Sequence, residues 1–261
     1  MSKRGSIGVL VAGLIVLALL AAGCGESGQI TELSQLEGKV FAVPSGTVAD
    51  QLVLSMFPDA EFEYYDSALD ACLAVQAGEA DAAAYDEPIL RNIAAKNEGL
   101  TVLPEMITVD EYGFAVQLGN EELKAAIDGV VASLQSDGTY DEMLGRWLPE
   151  EGAPAAMPDI QLAGDKGVLR FGTAAITEPF SFIDQDGNIV GFDIELATYV
   201  AQELGMRLEV VNMDFGDMIP ALIAGDVDMI GACITITDER AKMVLFSEPY
   251  YTGGIAALVK E

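Results

Sequence analysis

FGDMIPALIAGDVDMIGACITITDER, residues Phe215 to Arg240, is the stretch on which the fold turns. Phe215–Ala224 has the apolar content of a short helix, Gly225 supplies its stop, and Val227–Ala232 is an apolar run of strand length. A polar loop follows, and a short helix is expected to begin near Asp238. The same joint occurs earlier in the chain. VQAGEAD, from Val75 to Asp81, echoes LIAGDVD, from Leu222 to Asp228: a helix end, a glycine stop and a strand start. Gly46-Thr47 and Gly172-Thr173 likewise each follow a strand signal. Joints of this kind also recur by chance, so the echo leaves two readings open, one of them a pair of related α/β lobes.

Outward from these joints, strand and helix signals alternate. Strands are predicted at Lys39–Val43, Glu61–Tyr65 and Asp81–Tyr85. Helices are predicted from about Thr47 to Met56, at Ser67–Ala77, and at Asp86–Lys96 with Pro88 in its first turn. Tyr112–Leu118 alternates like a strand, and two helices follow, one from Asn120 to about Gln135 and one ending at Trp147. Pro149–Lys166 holds three prolines and little periodicity, and is predicted to be a linker. Beyond it, strands are predicted at Val168–Thr173, Phe180–Asp184, Arg207–Val211 and Gly254–Val259, and a helix at Phe192–Leu204. This alternation implies α/β units with largely parallel sheets.

The N-terminus has a different character. Lys3 and Arg4 precede an apolar run from Ile7 to Ala22, and Gly23-Cys24 follows. A positive region, an apolar core and small residues form an export signal. The run is about 16 residues, short of the roughly 20 that span a bilayer. Ala21-Ala22-Gly23-Cys24 resembles a bacterial lipobox, with Ala21 where leucine is usual. Cleavage before Cys24 would leave its thiol to carry diacylglycerol, and an uncleaved anchor helix would tether the same body. Loss of residues 1–23 takes the formal net charge from −29 to −31, so nucleic acid and anionic lipid headgroups are unsuitable partners. With no histidine, and only Cys72 and Cys233 beyond Cys24, a metal site is not expected, and the two thiols are expected to be free in different lobes.

The stretch Phe215–Arg240, its continuation Phe246-Ser247-Glu248-Pro249-Tyr250-Tyr251, and Pro179–Gly187 followed by Gly191-Phe192-Asp193 resemble the polar amino-acid family of periplasmic solute-binding proteins. Lys39–Thr47, Ala77–Pro88, Tyr112–Val116 and Asp137–Asp141 resemble that family's second half. The halves stand in reversed order, which a circular permutation would explain, with Pro149–Lys166 joining the family's own termini. Eighteen extended residues reach up to about 60 Å. A fragment of two fused copies is the other account. The resemblance implies a two-lobed type II binding-protein fold with the ligand in the cleft. The expected organisation is a signal peptide at 1–23, a tether at 24–29, one lobe at 30–111, a hinge strand at 112–117, the other lobe at 118–252 with linker 149–166, and a second hinge strand at 253–261.

A free amino acid presents a carboxylate and an ammonium at fixed separation. Arg240 offers a forked cation for the carboxylate, and the resemblance gives it that role. By the same resemblance Thr235 is a second carboxylate donor, the backbone at Cys233 faces the ammonium, and Asp86 pairs with it from the other lobe. The turn Ser45-Gly46-Thr47-Val48 is expected to aim N–H groups at the carboxylate. Phe215 packs on the ligand side chain, with Thr177, Glu178, Tyr85 and Cys233 completing that end. Family members that bind basic amino acids place a carboxylate where this chain has Ala174, so a neutral polar ligand such as glutamine is expected. The implied protein is a monomeric, lipid-anchored, extracytoplasmic binding protein without a cofactor, delivering a free amino acid to the permease subunits of an ABC transporter. The alternatives are an enzyme of cyclohexadienyl dehydratase type on the same fold, and a ligand-sensing ectodomain.

Overall fold

The computed structural model describes residues 29–149 and 154–261. After a 3-10 turn at Leu33–Leu36, the first unit runs β1 (Val40–Pro44), α1 (Ala49–Met56), β2 (Glu61–Tyr65), α2 (Ala68–Ala77), β3 (Ala82–Asp86), α3 (Glu87–Lys96) and β4 (Leu100–Met106). Next come β5 (Asp110–Tyr112), β6 (Ala115–Gln117), α4 (Glu121–Asp137) and α5 (Thr139–Trp147). The part after the linker runs β7 (Val168–Thr173), β8 (Ile176–Thr177), β9 (Ser181–Ile183), β10 (Ile189–Val190), α6 (Phe192–Leu204) and β11 (Arg207–Asn212). It ends with α7 (Met218–Ala224), β12 (Met229–Ile230), β13 (Val244–Phe246), β14 (Tyr251–Gly253) and β15 (Ile255–Lys260).

Local chemistry sets the boundaries. Ser67 caps α2 by accepting the Asp70 N–H at 3.1 Å, and Asn120 does the same for α4 through the Leu123 N–H. Gly78 and Gly225, the stops of the echoed joint, both adopt left-handed φ, +82° and +80°, and each returns its N–H to the preceding helix. Phe215–Asp217 is a 3-10 turn before α7 rather than part of it. The strand expected over Val227–Ala232 pairs only at Met229–Ile230. Beyond these the backbone leaves the ladder, because the Cys233 N–H is taken by the Asp193 carboxylate and Cys233 has φ +47°.

The two five-stranded sheets have the same plan. One has the order β2-β1-β3-β15-β4, the other β11-β7-β12-β6-β13. In each, the unit's own second, first and third strands lie side by side in parallel, and an antiparallel strand separates the third from the fourth. That inserted strand comes from the other part of the chain: β15 enters the first sheet and β6 the second. Strands buried on both faces read as continuous apolar runs, as β1 and β3 do, with helices α1 and α2 packed against both.

This corrects the expected hinge. Residues 112–117 and 253–261 do not cross as two complete strands. The ribbon passing between the sheets is β5 paired with β14, Tyr112 opposite Tyr251 and Asp110 opposite Gly253. Ala115–Gln117 and Ile255–Lys260 belong to the sheets themselves. An alternating or apolar run shows that a strand forms, but not which sheet takes it. Aromatic rings pack around the ribbon: Tyr112 stacks on Tyr251, and Phe180 meets both edge-on.

Helices α4 and α5, which precede the linker, pack on α6, which follows it. The fully buried Glu195 of α6 accepts two bonds from Arg146 Nη1, at 2.7 and 2.9 Å, and one from Trp147 Nε1 at 2.6 Å. These three bonds offset the cost of burying the carboxylate. Gln29 and Ile30 line one surface cavity together with Lys260 and Glu261.

Candidate functional site

Two cavities lie between the sheets, at the C-terminal ends of their parallel strands. Loops there are free to vary while the strands hold them in place. The first cavity, about 190 Å³, is lined by Thr47 and Val48 before α1, by Phe215, Met218 and Ile234, and by Arg240. The second, about 390 Å³, is lined by Ser45, Thr47, Tyr85, Thr177 and Phe215, with Asp66 and Asp214. Thr47, Phe215 and Gly216 belong to both. Here the backbones of the two units come close together, and a Cβ on Gly46 would lie 3.4 Å from the Gly216 Cα.

Arg240 opens a 3-10 turn, Arg240–Lys242, and its N–H donates to Thr237 Oγ1 at 3.2 Å. The residue is only 8% exposed. Nη1 donates to the Thr235 carbonyl at 3.0 Å, and the guanidinium carbon stands 5.5 Å from the Phe215 ring centre. Among the described residues it has no carboxylate within ion-pair distance. Burial holds its pKa below the ordinary arginine value, with Tyr85 and Asp86 acting in the opposite direction. A buried cation with spare donors, facing a cavity, is suited to a small carboxylate.

Asp86 ends β3. It accepts from the Tyr112 hydroxyl, and the Cys233 thiol of the opposing unit lies 3.9 Å from Oδ2. Burial raises its pKa to about 7, against the Tyr112 hydrogen bond, which favours the charged form. Asp193 lies behind Cys233. Its Oδ2 accepts the Cys233 N–H at 2.9 Å, and burial raises its pKa to about 7 as well. Tyr250 lies close enough to favour the charged form of Asp193, yet outside hydrogen-bonding geometry. Asp193 Oδ1 and the Tyr250 hydroxyl are both buried without a partner among the described residues.

Seven expected site residues line the cavities: Ser45, Thr47, Val48, Tyr85, Thr177, Phe215 and Arg240. Asp86, Cys233 and Thr235 line neither. They form a buried layer beneath, Thr235 reaching the site only through its carbonyl on Arg240. The Thr47 and Thr177 hydroxyls are held locally, on the Pro44 carbonyl at 2.9 Å and the Ala174 carbonyl at 3.1 Å. Glu178 pairs instead with Lys96 of α3 at 2.6 Å, between the two units. Ala174 is packed in the apolar cluster around α7 and lines neither cavity.

Three residues were missed. Asp193 was visible only as part of Gly191-Phe192-Asp193. Asp66 and Asp214 each follow the second strand of their unit, a placement that becomes informative once the strand order is known. Cys72 and Cys233 are free and buried, and Cys24 lies outside the described residues. Among the described residues, no helix is long and apolar enough to cross a membrane, and no group of three or more His, Cys, Asp or Glu is arranged to hold a metal ion.

Residues 169–261 match the family described as bacterial extracellular solute-binding proteins, family 3. The arginine-binding extracellular protein ArtP of Bacillus subtilis (strain 168) is 46% identical over 87 residues, covering 33% of this chain and 34% of that protein. The L-cystine-binding protein TcyJ of Escherichia coli (strain K12) is 36% identical over 97 residues, 37% of this chain and 36% of that one. The ABC transporter glutamine-binding protein GlnH of Bacillus subtilis (strain 168) is 30% identical over 115 residues, 44% of this chain and 42% of that one. The chain thus spans about a third to two fifths of the length of the curated relatives it matches.

Proposed function

From the match of residues 169–261 to the family of bacterial extracellular solute-binding proteins, family 3, we propose that this chain captures a free L-amino acid without turning it over. The observation that carries this reading is Arg240, a buried guanidinium without a counter-charge among the described residues, on the wall of a cavity between two α/β units. The ligand carboxylate takes its free donors. The ammonium is directed toward Asp86, after the lobes part enough to move the Cys233 thiol aside. Closure of the lobes over the ligand presents it to the permease of an ABC importer.

Isothermal calorimetry against the common amino acids tests the reading. At least one should bind saturably, and the heat should return to baseline after each injection. Arg240→Ala should weaken that binding by about 2–5 kcal/mol, as when one partner of a desolvated charge pair is removed. No saturable binding would overturn the assignment, and sustained heat would favour an enzyme.

The reversed order of the halves is most simply a circular permutation. Support comes from the shared strand order, with each inserted strand drawn from the other half, and from the family match beginning at residue 169. An extracytoplasmic place, anchored by diacylglycerol on Cys24, follows from the signal-like N-terminus. Fatty-acid labelling that persists in Cys24→Ser would refute that anchor. A neutral polar side chain such as glutamine's is the reading that position 174 favours. Since Ala174 faces neither cavity, the second cavity itself sets the side-chain class.

A further inference from the structure

The second cavity has an uncompensated negative lining. Asp66, after β2, and Asp214, after β11, reach it from opposite units, both at the exposed rim. No lysine or arginine lines this cavity, and neither carboxylate has a cation within ion-pair distance among the described residues. Closing the cleft therefore brings like charges toward each other with no lining cation to offset them, which opposes closure. An independent observation lies deeper. Tyr85 is 5% exposed and lines the same cavity, and its hydroxyl makes no hydrogen bond with any described residue. The side chain is buried, but the hydroxyl itself opens to the cavity, where a ligand group can take up its free hydrogen-bonding capacity. Phe215, the wall shared with the Arg240 cavity, adds a π face on which a flat cation can stack.

We propose that the second cavity receives the cationic end of a basic amino acid, with Asp66 and Asp214 as its counter-charges and Tyr85 as a neutral hydrogen-bond partner. This rests on the amino-acid reading above and adds the side-chain class to it. The ligand then spans both cavities, its carboxylate on Arg240 and its side chain passing Phe215. A positive charge between the two rims turns their mutual repulsion into attraction, so such a ligand favours the closed form more than a neutral one of equal shape.

L-Arginine and L-citrulline form the test pair, since citrulline keeps the shape and replaces the guanidinium by a neutral urea. Calorimetry on the full chain should show arginine bound at least about tenfold more tightly at low salt, with the ratio shrinking as salt is raised. In the double variant Asp66→Asn, Asp214→Asn, the arginine-to-citrulline ratio should collapse toward one. Both positions are exposed, so the substitutions leave the core untouched, and circular dichroism checks this. Equal binding of the two ligands, tighter binding of citrulline, or an unchanged ratio in the double variant would overturn the proposal. Binding of glutamine but not arginine would overturn it while leaving the amino-acid function standing. Binding of none of the amino acids would bring down the functional reading itself.

Discussion

Asp86 is the residue whose chemistry links the site to pH. It is 3% exposed, and burial is the main reason its pKa rises to about 7; the negative charge of Asp110 adds to this, while the Tyr112 hydrogen bond and Arg240 oppose it. Tyr85, Tyr251 and the Cys233 thiol are further titratable groups near it, and all three are themselves pushed up by burial. In the unfolded chain an aspartate titrates near 3.9. Between these values the folded protein holds a proton that the unfolded chain has lost. The stabilising effect of that proton is full below about pH 4 and is gone once the pH has risen through about 7. Stability of the wild type should therefore fall relative to Asp86→Asn as pH rises, by about 1.4 kcal/mol per unit between roughly pH 5 and 6. Denaturant titrations of both proteins at several pH values measure this, and parallel curves would mean that Asp86 is already ionised. A ligand ammonium reverses the preference, since it favours the carboxylate. Affinity should then weaken below pH 7, by up to about tenfold per unit, and level off above it.

At the scale of elements, most of the fold was legible, and the failures have one cause. Apolar periodicity, capping residues and glycine stops are local, so β1 to β3, α2, α4 and the paired joints at Gly78 and Gly225 lie close to where the sequence put them. Sheet membership is not local. Tyr112–Leu118 and Gly254–Val259 read as strands, but nothing in them says that each completes the sheet of the other half. The site divides in the same way. Arg240, Phe215, Tyr85 and the turn at Ser45–Val48 reach the cavities because each stands at or beside the end of a recognisable element. The depth of Asp86 depends on Cys233 arriving from the opposite unit, and Ala174 turns into a core rather than a cleft. Both are matters of tertiary packing. Asp66 and Asp214 look like ordinary surface acids until the strand order sets them on one rim.

At the scale of the molecule, each unit borrows a strand from the other, and this decides what the linker is for. Residues 29–149 lend β6 to the second sheet, and residues 154–261 lend β15 to the first. Ile255 to Val259 are fully buried between β3 and β4, so removal of the second piece would split the first sheet and expose a row of backbone donors and acceptors. Glu195 adds a second tie, because its carboxylate would be left buried or stranded without Arg146 and Trp147. The linker then mainly keeps the two pieces at a high effective concentration, on the order of millimolar for a short tether, while Met157 and Leu162 within it also pack on the core. A protease site inserted between Pro149 and Pro154 tests this. After cleavage the two pieces should co-elute as one particle at micromolar concentration, and should keep amino-acid affinity within a few-fold of the intact chain. Thermal unfolding, independent of concentration before the cut, should become concentration-dependent after it, since unfolding now releases two chains. Separation of the fragments under native conditions would mean that the exchanged strands do not hold the halves together. The linker would then be a structural part of the fold, and the case for a permuted chain would lose its main physical support.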